Sequence, residues 1–233
     1  MVTELSEELL QRLAYQPGFH DADVPRGLTR PPLDALLSWV QPGMRTLETG
    51  CGGSTVVFAA VGTRHTSVTP SAAEVERVRG FCAEQGISCQ AVDFLIQSSD
   101  TALVDWKGEL DLMLIDGAHR VPFPLLDWHY TAPWIRVGGR LFIDDVAIPG
   151  VHMLYDFLRR EQEWRLVEIP GDKVAIFEKV GEFNPDPALD WEAQRYNRPW
   201  IYDHVPLSRR WRTWRDRLAL RTRLRRLIAS RRP

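Results

Sequence analysis

The chain has 233 residues, 44% hydrophobic and 26% charged, which suits one large domain with a proper core plus an appendage. No run approaches the roughly 18 to 20 apolar residues of a membrane span, and the acidic stretch Met1 to Leu10 lacks the basic-then-apolar layout of a signal peptide. The net charge of −2 hides an asymmetry: Ser208 to Pro233 holds eleven arginines against Asp216 alone, a local +10 that leaves −12 for residues 1–207.

Strand and helix patterns alternate from about residue 30 to 180. Pro31 and Pro32 suit a helix start, and Leu33 to Val40 continues as that helix. Met44 to Glu48 reads as a first strand, followed by a glycine-rich turn and a helix from Ser54 or Thr55 to Val61. His65 to Val68 is a second strand. Ser71 to Glu84 is a helix that opens with a Ser-x-x-Glu capping box, Ser71 to Glu74. Ser88 to Phe94, Leu110 to Ile115 and Leu141 to Ile143 follow as strands, the last two separated by a helix within Pro124 to Ile135. Val151 to Glu161 is a further helix. Trp164 to Ile169 and Val174 to Glu178 flank Pro170-Gly171-Asp172, a hairpin signal. The expected fold is α/β: a Rossmann-like, seven-stranded, mostly parallel sheet with helices on both faces, finished by an antiparallel edge strand. The domain expectation is 1–181 for this body, 182–207 for a connector and 208–233 for the arginine-rich tail.

Two aspartate motifs carry the chemistry. Asp116-Gly117-Ala118-His119 follows the apolar run Leu110 to Ile115, and Asp144-Asp145 follows Leu141 to Ile143. Ligands of open α/β sheets sit outside the carboxyl ends of the strands, so these three carboxylates converge on one small volume. Such like charges resist joint ionisation unless a cation compensates them, and Mg²⁺ or a relative is the natural partner of hard oxygen ligands. The bland alternatives are an Asp-Gly turn and a cap on the helix near Val151.

The turn Glu48-Thr49-Gly50-Cys51-Gly52-Gly53-Ser54-Thr55 lies at a strand-to-helix junction, where backbone can approach a ligand closely. The dinucleotide fingerprint needs a third glycine at Thr55, which is absent. Glu48 repels a pyrophosphate but suits a ligand carrying an ammonium group.

At these residues the chain resembles the class I S-adenosylmethionine-dependent methyltransferases, whose first motif, acid-x-Gly-x-Gly, matches Glu48, Gly50 and Gly52. The likeness spans roughly residues 30 to 180. It implies that this loop, with Cys51 and Ser54, holds the methionine end of the cofactor S-adenosyl-L-methionine. The family's ribose-binding acid after the second strand is replaced by Thr69, and Ser99 matches a serine that contacts adenine in catechol-type enzymes. Asp116, Asp144 and Asp145 resemble the metal triad of the catechol and macrolide-sugar O-methyltransferases, with Asp116 also beside the cofactor. His119 falls in the slot of the base, and an imidazole suits removal of a hydroxyl proton.

The resemblance implies an O-methyltransferase, assisted by a divalent metal, that acts on a hydroxyl of a small molecule or sugar. A hydroxylase or other metal-dependent enzyme on the same fold, and a non-catalytic protein working through its tail, are the competing readings. Cys51, Cys82 and Cys89 form no metal or redox pair, which suits a cytoplasmic protein with reduced thiols. Asp111 begins a strand. His129, on the helix between the motifs, is expected to face core or interface, and His20, His65, His152 and His204 have no register with the site. In the tail, Trp211, Trp214 and Leu218 share one helical face, while Leu220, Leu224, Leu227 and Ile228 share nearly the opposite one. Packing on the body or on a second subunit of a homo-oligomer is the first reading of the tail. Peripheral contact with an anionic membrane comes second, and nucleic acid last, since no recognition motif accompanies the charge.

Overall fold

The computed structural model describes residues 5–15, 27–182 and 194–197. The chain divides into two compact units, Met1–Phe183 and Asn184–Pro233. In the second unit the described residues form a short 3-10 turn, Arg195–Asn197. The expected boundary at 207/208 and the tail faces built on Trp211, Trp214 and the leucines lie outside the described residues. Among those residues, no helix is long and apolar enough to cross a membrane.

The first unit is built on a seven-stranded sheet. In chain order its elements are α1 (Glu7–Tyr15), α2 (Arg30–Trp39), β1 (Arg45–Thr49), α3 (Gly53–Val61), β2 (Arg64–Val68), α4 (Ala72–Glu84) and β3 (Val92–Leu95). They continue as α5 (Ser99–Ala102), β4 (Leu110–Ile115), α6 (Phe123–Thr131), β5 (Ile135–Ile143), α7 (Pro149–Leu158), β6 (Trp164–Glu168) and β7 (Ala175–Lys179). The strand order is β3-β2-β1-β4-β5-β7-β6. β1 to β5 run parallel, and β7 is antiparallel to both its neighbours.

The continuous apolar run of β4 follows from its place at the centre of this sheet, where both faces are covered. Leu112 and Leu114 join the core formed with α1 to α4. Met113 and Ile115 point the other way, into the core formed with α5 to α7. One strand thus feeds two cores by the alternation of its side chains.

The antiparallel strand is not at the edge. β7 slots between β5 and β6, and β6 is the edge strand. Burial explains the exchange: Ala175, Ile176 and Phe177 are all fully buried, whereas Arg165, Val167 and Glu168 of β6 are exposed. β3 starts at Val92 rather than Ser88. β5 begins at Ile135, earlier than Leu141, since Val137-Gly138-Gly139 continues the strand.

Candidate active site

The parallel strands end together at Thr49, Val68, Leu95, Ile115 and Ile143, and one further backbone hydrogen bond locks each next residue. Gly50 N–H donates to Val68 O (2.9 Å), Asp116 N–H to Thr49 O (3.0 Å) and Asp144 N–H to Ile115 O (2.9 Å). The order reverses between β1 and β4, and a crevice opens at such a switch point. A cavity of about 760 Å³ lies there, within the size range of small-molecule sites. Its wall runs from Thr49 to Ser54, takes in Val68 to Ser71, Glu74, Ser98 and Ser99, and continues through Asp116 to Arg120, Asp144, Asp145 and Lys173.

The glycine turn is shaped by sterics. Gly50 has φ +109, and a Cβ there would lie 2.5 Å from the Asp116 carbonyl oxygen. Only glycine lets β1 and β4 exit this close together.

Glu48 is absent from the cavity wall and only 1% exposed. Its carboxylate accepts the hydroxyls of Ser54 (2.6 Å) and Thr55, and His65 Nε2 stands 3.1 Å from it. Thr55 Oγ1 in turn accepts Gly52 N–H (2.9 Å). Glu48 thus fixes the turn from within, through Ser54, Thr55 and His65. The cause is strand geometry: a side chain inside β1 points into a packed layer, not out of the strand end. His65, expected to stand apart, is the buried partner of this acid and stacks on Phe58.

Gly50, Cys51, Gly52, Ser54, Thr69, Ser99, Asp116, His119, Asp144 and Asp145 do meet around the cavity. The Cys51 thiol is pushed up to about 12, first by burial and then by the nearby Glu48 charge, so it is no nucleophile. At the end of β2, Thr69 Oγ1 donates to Glu74 Oε2 (2.8 Å) and accepts Ser71 N–H (3.2 Å). Ser71 caps α4 by accepting Glu74 N–H. A carboxylate therefore reaches the corner where the sequence shows only Thr69, delivered from the first turn of α4.

Also on the cavity wall, His119 Nε2 lies 3.9 Å from Asp116 Oδ1 and 3.7 Å from Asp145 Oδ2. It is shielded from solvent and has no hydrogen-bond partner. Its backbone is pinned by α7, for a Cβ on Gly150 would meet the His119 carbonyl oxygen at 2.7 Å. Burial, followed by the Asp144 carboxylate, raises the Asp116 carboxyl well above the usual range. Neither Asp144 nor Asp145 caps α7, whose N-cap is Ile148. Asp145 sits at φ +53, a left-handed conformation rare for a non-glycine residue.

Sequence reasoning missed Lys173. Its Nζ lies 2.7 and 2.6 Å from the two Asp144 oxygens, 3.3 Å from Asp145 Oδ1 and 3.1 Å from Gly27 O. The three aspartates outweigh the desolvation that would lower it, and hold the ammonium above its ordinary range. Its place follows from the pairing of β5 with β7, which the sequence did not show. Ile143 pairs with Ala175, and extending that register sets Lys173 opposite Asp145.

Asp116, His119 and Asp144 each offer a ligand atom within 4.8 Å of the others. That spacing alone suits a divalent ion. Asp144, however, is only 1% exposed and receives the Lys173 ammonium at both oxygens, so a cation already stands at the carboxylate that a metal would need. Asp127 is fully buried on α6, while His129 on the same helix is exposed and so does not face the core.

Comparison with known proteins agrees with this architecture. Residues 47–146 match the family model described as a methyltransferase domain. No curated protein sequence matches the chain significantly. Among solved structures, TomG from Streptomyces achromogenes is an O-methyltransferase involved in tomaymycin synthesis, solved in complex with SAM. It is 17% identical over 78% of this chain and 93% of its own, with a TM-score of 0.59. Cofactor-bound Rv0187 from MTB is 14% identical over 69% and 84%, with a TM-score of 0.57. TrmN from Thermus thermophilus is 17% identical over 65% of this chain, which spans 48% of TrmN, with a TM-score of 0.50.

Proposed function

We propose that this chain is a class I S-adenosylmethionine-dependent methyltransferase that methylates a hydroxyl oxygen of a small molecule or sugar, with His119 as the base. The observation that carries the reading is His119 on the cavity wall, its Nε2 without a hydrogen-bond partner and flanked by two carboxylates.

When bound, S-adenosylmethionine would supply an electrophilic methyl group on a sulfonium, with S-adenosylhomocysteine as the leaving thioether. The chain's part is positioning and proton handling. Backbone groups of the turn from Gly50 to Gly53 and the start of α3 receive the methionine end. Thr69 and Glu74 take the ribose hydroxyls in place of the usual strand-end acid, and Ser99 lies along the adenine. His119 Nε2 accepts the acceptor's proton, and Asp116 and Asp145 stabilise the imidazolium that results.

Two observations favour a small acceptor over RNA. Residues 1–207 carry −12, which opposes a phosphate backbone. Val121 and Ile148, on the segments that meet at Gly150 beside His119, are exposed and apolar. They offer an apolar edge to an acceptor.

Calorimetry with S-adenosylhomocysteine, followed by a panel of hydroxylated acceptors and labelled S-adenosylmethionine, tests the reading. Expected are cofactor binding and label in an ether product, lost in His119→Ala. No binding of S-adenosylhomocysteine overturns it.

A further inference from the structure

We propose that Lys173 is the resident cation of the aspartate cluster, its ammonium filling the position that a divalent ion would take, so that this site excludes metal and works without it. The inference rests on reading His119 and the aspartates as the acceptor end of the methyltransferase site.

The geometry is that of a built-in counter-ion. Nζ reaches both oxygens of Asp144 at 2.7 and 2.6 Å, Asp145 Oδ1 at 3.3 Å and the Gly27 carbonyl at 3.1 Å. These are four oxygen neighbours, all from protein. Asp144 is the most buried of the three acids, at 1% exposed, and both of its oxygens face the ammonium. The lysine is not a floating surface chain that happens to fold inward. Its backbone oxygen accepts Val146 N–H (3.0 Å), and its own N–H turns back to Pro170, so it is tied to the far side of the same Asp144-Asp145 loop. The insertion of β7 between β5 and β6 delivers it there.

An ion entering the remaining donors, Asp116 and His119, would face this ammonium across the Asp144 carboxylate. Like charges sharing one carboxylate compete for it. A lysine is a compact point charge able to take this place, whereas Mg²⁺ demands near-octahedral oxygens and keeps its waters. Lys173 therefore serves as a positioning residue. It holds Asp144 and Asp145 at a fixed spacing, and Asp145 in turn flanks the base.

The test uses the full chain stripped with chelator and titrated with Mn²⁺, by calorimetry and by the spin-resonance signal of free Mn²⁺. The wild type is expected to bind no Mn²⁺ up to about 1 mM, whereas Lys173→Met, which unpairs the acids, gains at least about tenfold in Mn²⁺ affinity. Lys173→Arg keeps the exclusion, and adding Asp144→Asn to Lys173→Met abolishes the gain. Stoichiometric binding by the wild type overturns the proposal, as does a folded Lys173→Met chain that gains nothing. If Lys173→Met does not fold on its own, a melting transition restored by Mn²⁺ supports the proposal. If it folds in neither condition, the wild-type titration decides alone. Binding of S-adenosylhomocysteine to the wild type, measured alongside, separates failure of this inference from failure of the methyltransferase reading.

Discussion

Asp127 offers the sharpest energetic test of the structure. It lies on α6 with no solvent exposure. Burial pushes its carboxyl from the ordinary 3.8 up to about 6, the nearby Asp100 adds to the rise, and the Ser99 and Thr49 hydroxyls that face it offset part of it. A group whose pKa is raised on folding stabilises the fold fully at pH values below its unfolded pKa. That contribution is lost as the pH rises through the folded value. For Asp127 the window runs from about pH 4 to about pH 7. At about 1.4 kcal/mol per tenfold step, the shift from 3.8 to about 6 is worth about 3 kcal/mol across it. Asp127→Asn keeps the shape and removes the charge. Urea denaturation of both proteins, followed by tryptophan fluorescence, should show the variant gaining about 3 kcal/mol on the wild type between pH 4 and pH 7. Asp116 also has a raised carboxyl, but it titrates in both proteins and cancels in the difference. Parallel stability curves over the whole window refute the account of Asp127.

His119→Ala should cut methyl transfer by about 10² to 10⁴-fold while leaving calorimetric binding of S-adenosylhomocysteine intact, because the imidazole stands at the acceptor end. Glu74→Gln should weaken S-adenosylhomocysteine by about tenfold, the scale of one charge-assisted hydrogen bond; unchanged affinity removes Glu74 from the ribose site. Gly50→Ala places a Cβ 2.5 Å from the Asp116 carbonyl oxygen, and should cost more than about 2 kcal/mol in urea unfolding as well as cofactor binding. Cys51, with its thiol pushed up to about 12, should resist alkylation at pH 8 in the native protein and react once unfolded.

The legible part of this fold is what local patterning controls. The apolar run Leu110 to Ile115 could be read as a central strand because both of its faces are buried, and the turn after Glu48 could be read from glycines that a Cβ would forbid. The strand ends then bring Asp116, His119, Asp144 and Asp145 together without further information, since parallel strands deliver their carboxyl ends to one edge. The illegible part is whatever depends on partners far apart in sequence. The motif position of Glu48 is legible and its rotamer is not; the acid is buried beside Ser54, Thr55 and His65. At the position where the resembled family has an acid, the sequence shows Thr69, and α4 brings the Glu74 carboxylate to the same corner.

The same distinction bears on the charge of the active site. Three carboxylates converging on one volume require a cation, and from the sequence alone the simplest cation was an ion from solution. The requirement stands, but it does not specify a source. The placement of β7 was expected at the edge, and an edge hairpin would have carried its turn away from Asp144. Inserted beside β5, the hairpin turn instead lies over the Asp144-Asp145 loop, and Lys173 meets both acids. A single exchange in strand order thus decides whether the acids wait for a metal or are already paired. Strand order is set by which strand can bury Ala175, Ile176 and Phe177 on both faces, so a packing preference fixes the electrostatics of the site.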